Sequence, residues 1–413
     1  MKKKHKILII GGGAAGLVAA VAASRNGAEV IILERMDRVG KKILATGNGR
    51  CNLTNINMDI KRFHSSYPKF IKGVLNRFDL RQTLDFFEQM GIAYKVEDAG
   101  KVFPMSEQAS SVLDVLRHEL QLLNVQEECN AEVIKIQRKN NQFILSLKDG
   151  RKISGDKVIL AAGGKSSPNL GSNGSGYELV IPFGHKLIST FPALVQLVLD
   201  AWFLKRLKGV KFNGKVSIVE DNNILQTEYG EILFTEYGIS GPPILQLSRK
   251  AGEVLHQKKS KPFVSLDVFP DLSEEHIENI IMSRFSYHPE KTIEFSFVGM
   301  MNKRLIPVVL KEAGIEDLNK SCTQINAKER KNIIKILKNW SIPVKGTQSW
   351  MQSQVTAGGI DVRDIDPNTM ESKLIPGLYF AGEIMDVDGD CGGFNLQWAW
   401  SSGYIAGECS SKS

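Results

Sequence analysis

The chain is poor in the residues that staple small folds or hold metals. Its 413 residues include only five cysteines, an odd number. None of Cys51, Cys129, Cys322, Cys391 and Cys409 stands in a C-x-x-C pair, and the seven histidines form no H-x-x-x-H pattern. A disulfide framework and a metal site are therefore not expected, and the chain reads as reduced, cytoplasmic and metal-free. Long apolar runs are missing too, so no membrane span is expected. There is no internal repeat and no low-complexity segment. The basic start at Lys2 to Lys6, followed by an uncharged run, imitates a secretory leader. Three consecutive glycines in the apolar part argue against that reading.

Charge of one sign is not concentrated in sequence. The net charge is +8, but it is scattered in short runs such as residues 2–4 and 258–259. Such runs read as solvated surface, so a small-molecule partner is expected and a nucleic-acid partner is not. A chain of 413 residues exceeds what one core supports, which implies two or three domains.

What is present begins at the N-terminus. Ile7-Leu8-Ile9-Ile10 is a short apolar run of the kind buried in a parallel sheet. Gly11 to Gly16 makes a turn, residues 17–26 read as an Ala-rich helix, and Glu29–Leu33 is the next strand. In Gly11-x-Gly13-x-x-Gly16, the first glycine permits the turn, the second admits a pyrophosphate and the third lets helix and strand pack closely. The phosphate charge then meets free amides at the helix N-terminus. Glu34, eighteen residues past Gly16, ends the second strand, where a carboxylate accepts both ribose hydroxyls. It would repel a 2′-phosphate, which leaves FAD or NAD.

The rest of the chain favours FAD. KVILAAGG (157–164) and LYFAGE (378–383) are strands ending in small residues, suited to bringing the chain back beneath a dinucleotide. Residues 392–397, GGFNLQ, open a helix whose N-terminus would stabilise negative charge on a reduced flavin ring. Residues 40–57 read as an ordered loop in which TGNGRCNLTN (46–55) supplies donors for a planar ring, while Lys42 reaches the pyrophosphate. No second strand-GxGxxG-helix unit exists; Gly171 to Gly176 has the wrong order. Electrons therefore enter from a substrate, or from NAD(P)H docking transiently as donor.

Helices are expected at 70–90, 109–123 and 393–407, and strands at 132–137, 143–147 and 378–381. Between 194 and 268 short strands alternate with turns at Lys208-Gly209, Asn213-Gly214 and Asp221-Asn222-Asn223. Residues 273–340 turn helical, with Ser273 as N-cap before Ile277, Ile280, Ile281 and Phe285. The expected fold class is α/β: a split Rossmann-like FAD-binding domain with an inserted β-rich subdomain and a helical subdomain. The expected boundaries are 1–190 and 355–413 for the FAD domain, 191–270 and 341–354 for the β-rich part, and 271–340 for the helical part.

The motifs together resemble the FAD-dependent oxidoreductase family that includes aminoacetone oxidase and bile-acid dehydro-reductase flavoproteins. They are more distantly similar to fumarate reductase and aspartate oxidase flavoproteins. Besides the segments above, the match includes FTEYGISGP (234–242), TAGGI (356–360), TMESK (369–373) and FAGEIMDVDG (380–389). The resemblance implies FAD contacts at Gly11, Gly13, Ala15, Gly16, Glu34, Arg35, Lys42, Asn48, Arg50, Cys51, Asn52, Val133, Gly163, Gly382, Glu383, Gly393, Asn395 and Leu396. Relatives often carry His where Glu236 stands, Asp where Ser175 stands and Thr where Cys391 stands. The first departure removes a histidine-based proton role, and the third changes a group expected near the flavin.

No catalytic acid or base is legible. Arg50, Glu236 and Tyr237 are candidate substrate-facing groups that read more readily as structural. Cys51 and Cys391 read as unpaired thiols rather than a redox disulfide. The expected activity is hydride transfer between flavin N5 and a small organic molecule, as amine oxidation or as reduction of an activated double bond. The alternative is a basic FAD-binding protein acting on RNA.

Overall fold

A computed structural model describes residues 5–258 and 260–412. The basic run at 2–4 and Lys259 lie outside the described residues. The chain forms two compact units, one from the segments up to Pro192 and from Trp350 onward, the other from Ala193 to Ser349.

The first unit is built on a five-stranded parallel sheet. Its strand order is Leu378–Phe380, Lys157–Leu160, Lys6–Ile10, Glu29–Leu33 and Gln126–Glu128. A strand from the C-terminal segment thus pairs directly with one from the N-terminal segment, giving the expected Rossmann-type α/β fold. Four of the sheet strands are near-continuous apolar runs because both faces are covered, while the edge strand Gln126–Glu128 is polar and partly exposed.

The first helix, Ala14–Arg25, starts earlier than its apolar pattern suggests, because the glycine turn leads straight into it with Gly13 as N-cap. The last helix, Phe394–Lys412, lies against it and runs past Gly407, the end expected from the sequence. A Cβ on Gly403 would stand 2.4 Å from the Ala15 carbonyl oxygen, and one on Gly407 would stand 2.2 Å from that of Ala19. Both glycines serve close helix packing, not termination.

Two further expectations need correction. The helix expected at 70–90 is two helices, Lys69–Arg77 and Leu80–Gln89. Asp79 breaks it by forming a capping box with Gln82, which satisfies the first amides of a new helix. The loop expected at 40–57 contains a short helix, Lys41–Ala45.

In the second unit six strands close into a barrel, in the order Leu197–Leu199, Gly238–Ser240, Asn223–Phe234, Lys211–Glu220, Phe263–Asp267 and Trp340–Thr347. Phe203, Phe234 and Trp340 pack in its core, with Phe203 and Trp340 ring centroids 4.8 Å apart. Asn213-Gly214 is not a turn but lies inside the Lys211–Glu220 strand. The neighbouring Phe212 ring and the Asp267 carbonyl leave no room for a side chain at Gly214. The Asp221-Asn222 turn is present, both residues at positive φ. The alternation expected up to 268 is interrupted by the helix Pro242–Glu253, which buries Ile244, Leu247 and Ala251. Its signal was in the sequence: Gly241 followed by proline at the first helical position. Ser273 caps Glu274–Tyr287 as expected, accepting from the His276 amide.

Candidate functional site

The glycine turn separates two kinds of glycine. A Cβ at Gly11 would stand 2.5 Å from the Ala161 carbonyl oxygen, and one at Gly16 would stand 2.0 Å from that of Gly11. Those two positions are small because the protein packs against itself. A Cβ at Gly13 meets nothing within 4 Å. The chain thus leaves open the one position that caps the first helix, where free amides and the helix dipole attract an anion.

Glu34 closes the far side of that turn. It is buried; its Oε2 accepts from the Gly12 amide at 2.8 Å and its Oε1 from the Met36 amide at 2.8 Å. Each oxygen keeps a second lone pair for a ribose hydroxyl. Gly171 approaches the same carboxylate, although its sequence context served only to argue against a second dinucleotide motif. Arg35 pairs with Glu132 at 3.4 Å, and its Nη1 is buried without a hydrogen-bond partner. Val133 is buried at the start of the Val133–Lys139 strand. Gly163 turns at positive φ against Ser172.

The C-terminal segment meets this turn. A Cβ on Gly382 would stand 2.8 Å from the Ala15 Cβ. The Gly382 amide donates to Ser402 Oγ at 2.9 Å, and Trp398 Nε1 donates to its carbonyl at 3.2 Å. Glu383 accepts from Lys42 Nζ at 2.7 Å through Oε2 and from the Thr356 amide at 2.7 Å through Oε1. Asn395 staples its own loop: its Oδ1 accepts from the Gly389 amide at 2.8 Å while its Nδ2 donates to the Gly389 carbonyl at 2.7 Å. Leu396 is partly buried against the main core. Gly393 packs so closely on the Thr54 carbonyl that a Cβ would lie 2.4 Å from it.

The 46–52 loop is held in left-handed turns, with φ of 57° at Gly47, 56° at Asn48 and 60° at Cys51. Asn52 Oδ1 is buried with no hydrogen-bond partner, an acceptor awaiting a donor. Arg50 stacks 4.0 Å over the Phe103 ring and donates to both oxygens of Glu97 at 3.0 and 3.1 Å, so its guanidinium is engaged within the protein. Burial pushes the Cys51 thiol up to about 12, so it is protonated at neutral pH. Cys391 is exposed, and no cysteine among the described residues forms a disulfide.

Several residues escape a reading of the sequence. Gln397 accepts from Thr54 Oγ1 at 2.6 Å and donates to Thr83 and Ser401 hydroxyls at 2.7 and 2.9 Å. It ties the 46–55 segment to the last helix. The available signal was an amide directly before the apolar residues Trp398, Ala399 and Trp400. Thr356 anchors Glu383. Two of the candidate substrate-facing groups, Glu236 and Tyr237, lie in the second unit. There Glu236 is exposed and paired with Lys208 at 2.8 Å, which holds its carboxyl below the ordinary range.

The residues present fit a flavin dinucleotide: an open phosphate cradle at Gly13, an anchored ribose acceptor at Glu34 and an orphan acceptor at Asn52. With the split parallel sheet, these features define the protein as an FAD-dependent oxidoreductase of the Rossmann class. The chain belongs to the HI0933-like family, whose Rossmann-domain model matches residues 5–409. It is 38% identical over 412 residues to the 3-dehydro-bile acid delta(4,6)-reductase of Clostridium scindens, covering 99% of both chains. To the ribosomal RNA dihydrouridine synthase of Escherichia coli it is 32% identical, over 98% of both. In fold it resembles 3-ketosteroid delta1-dehydrogenase from Sterolibacterium denitrificans (TM-score 0.53, 12% identity, 99% of each chain). No helix among the described residues is long and apolar enough to cross a membrane.

Proposed function

We propose that this protein reduces a carbon–carbon double bond conjugated to a carbonyl, in a small organic substrate, using FAD with NADH or NADPH as transient donor. The observation that supports FAD in this reading is the open position at Gly13 together with the anchored carboxylate of Glu34. The kinship supports the choice of bond. A 3-dehydro-bile acid with double bonds at positions 4 and 6 carries an extended enone, the relative's reducible group. Bound and reduced, FAD would supply a hydride to the β-carbon of such a system, with a proton from solvent completing the reduction at the α-carbon.

The chain's own residues bind and orient. Helix amides behind Gly13 neutralise the pyrophosphate, and Glu34 selects an unphosphorylated ribose. The remaining cofactor contacts are Ala15, Arg35, Lys42, Asn48, Arg50, Cys51, Asn52, Val133, Gly163, Gly382, Glu383, Gly393, Asn395 and Leu396. Lys42 is held beside the cradle by Glu383. The amides at the start of the Phe394–Lys412 helix favour negative charge on the ring.

A second reading has specific support. Uridine's ring also carries a double bond conjugated to a carbonyl, and dihydrouridine is its reduced form. The 32% identity to a ribosomal RNA dihydrouridine synthase, along the whole chain, supports uridine in RNA as the second candidate substrate. Mixing pre-reduced holoprotein anaerobically with a steroid dienone, or with unmodified rRNA, tests both. Flavin reoxidation with stoichiometric loss of the substrate double bond supports the reading. Reoxidation by oxygen alone, with amines as the only reductants, overturns it in favour of an oxidase.

A further inference from the structure

Cations that look scattered in sequence gather on one face of the second unit. Trp202 is about half exposed there, its indole Nε1 donating to Glu312 Oε1 at 2.7 Å. The Arg206 guanidinium sits 5.4 Å from the Trp202 ring and Lys311 Nζ sits 6.0 Å from it. Arg304 donates to the Arg206 carbonyl, which brings the 303–304 segment alongside. Lys205 and Lys303 are exposed beside them. Arg206, Lys303, Arg304 and Lys311 pair with no carboxylate within 4.0 Å among the described residues.

Next in the chain to Lys303 is a groove of about 300 Å³. Phe212, Tyr229, Phe269, Met300 and Met301 line it, with Lys211 and Asn302 among its polar groups. Tyr229 is 61% exposed, a large amphipathic ring left open to solvent. Exposed aromatic faces interleaved with unpaired cations have a specific use in single-stranded nucleic acid. Bases stack on the rings and phosphates meet the cations. A small neutral enone would need no such cationic rim.

We propose that this face of the second unit docks single-stranded RNA, with Trp202 as a stacking platform and Arg206, Lys303, Arg304 and Lys311 as its phosphate partners. The inference deepens the second reading of function and rests on it for the identity of the substrate. Charge complementarity selects the occupant: Arg206 and Lys311 lie 5.4 and 6.0 Å from the exposed Trp202 ring, and Arg304 bonds to the Arg206 carbonyl beside them.

The test is fluorescence anisotropy of holoprotein with a short uridine-containing single-stranded RNA across a salt series. Lys303→Glu with Lys311→Glu lowers affinity at least about ten-fold. It also makes the slope of log K against log salt shallower by about 1.4, because two phosphates are no longer neutralised. Trp202→Leu lowers affinity about ten-fold with little change in slope. All variants keep bound FAD and the wild-type rate on a steroid dienone, which shows that they fold. Unchanged affinity and slope in the charge-reversed variant overturn the docking face while leaving the reductase reading intact. A wild-type preference for duplex DNA or an acidic peptide at equal salt overturns it as well. Docking that responds to these variants, without reduction of uridine, upholds the face and rejects uridine as the reduced group.

Discussion

Lys42 Nζ lies 2.7 Å from Glu383 Oε2, although 341 residues separate the two in sequence. The pair joins the Lys41–Ala45 helix to the turn that follows the Leu378–Phe380 strand, and both partners are partly exposed. A partly exposed pair adds little to folding, so Lys42→Met costs under ~1 kcal/mol of stability. If Lys42 also meets the pyrophosphate, the same substitution raises the Kd for FAD about ten-fold. Chemical denaturation and FAD titration of the apo-protein measure the two effects separately. Equal FAD affinity in Lys42→Met means that the lysine serves only its glutamate.

Gln397 is fully buried and holds three hydroxyls from three segments. Gln397→Leu leaves the Thr54 hydroxyl without its acceptor in a dry interior, at a cost of about 2–3 kcal/mol. Because Thr54 adjoins the ring-binding loop, FAD retention falls with it. A denaturation midpoint identical to wild type contradicts this role.

His185 is buried, its Nε2 2.8 Å from Ser372 Oγ and its Nδ1 without a partner. Burial holds the imidazole below its ordinary value, with Asp364 opposing. The folded protein therefore binds fewer protons here than the unfolded chain does. Its stabilising effect is full above about pH 6.5 and is lost as pH falls through the unfolded value towards the folded one. Thermal unfolding between pH 7.5 and 5.5 reads this directly: His185→Gln flattens the decline. A variant whose melting temperature falls as steeply as the wild type's assigns the acid sensitivity elsewhere.

Four strands of the parallel sheet are apolar runs buried on both faces and were legible as such; the polar edge strand Gln126–Glu128 carried no such signal and was not expected. The two N-terminal strands are present where their patterns placed them, and the helix between them starts three residues earlier, at Ala14. Legibility failed where one residue type serves two ends. Gly407 resembles a helix stop but makes room for the Ala19 carbonyl, and Asn213-Gly214 resembles a hairpin turn but lies mid-strand. Periodicity at 70–90 continued across Asp79 and masked the helix start that Asp79 and Gln82, three residues apart, signal as a capping box. In the site, Glu34 and the glycine turn could be read locally. Gln397, Thr356 and the cation face around Trp202 could not, since each depends on partners brought from distant segments.

The most direct measurement of the central claim is chromatography of the nucleotide released on denaturing the purified protein, for wild type, Gly13→Val and Glu34→Arg. Wild type is expected to release FAD, one per chain. Gly13→Val fills the open cradle while costing apo-protein folding only the ~1 kcal/mol of a poorer N-cap. Glu34→Arg removes the ribose acceptor, a charged hydrogen-bond partner worth roughly 1.5–3 kcal/mol, or on the order of ten- to a hundred-fold in Kd. Gly13→Val therefore emerges folded and depleted of FAD, and Glu34→Arg emerges depleted of FAD. FMN or no flavin from reconstituted wild type, or full FAD occupancy in both variants, contradicts the account.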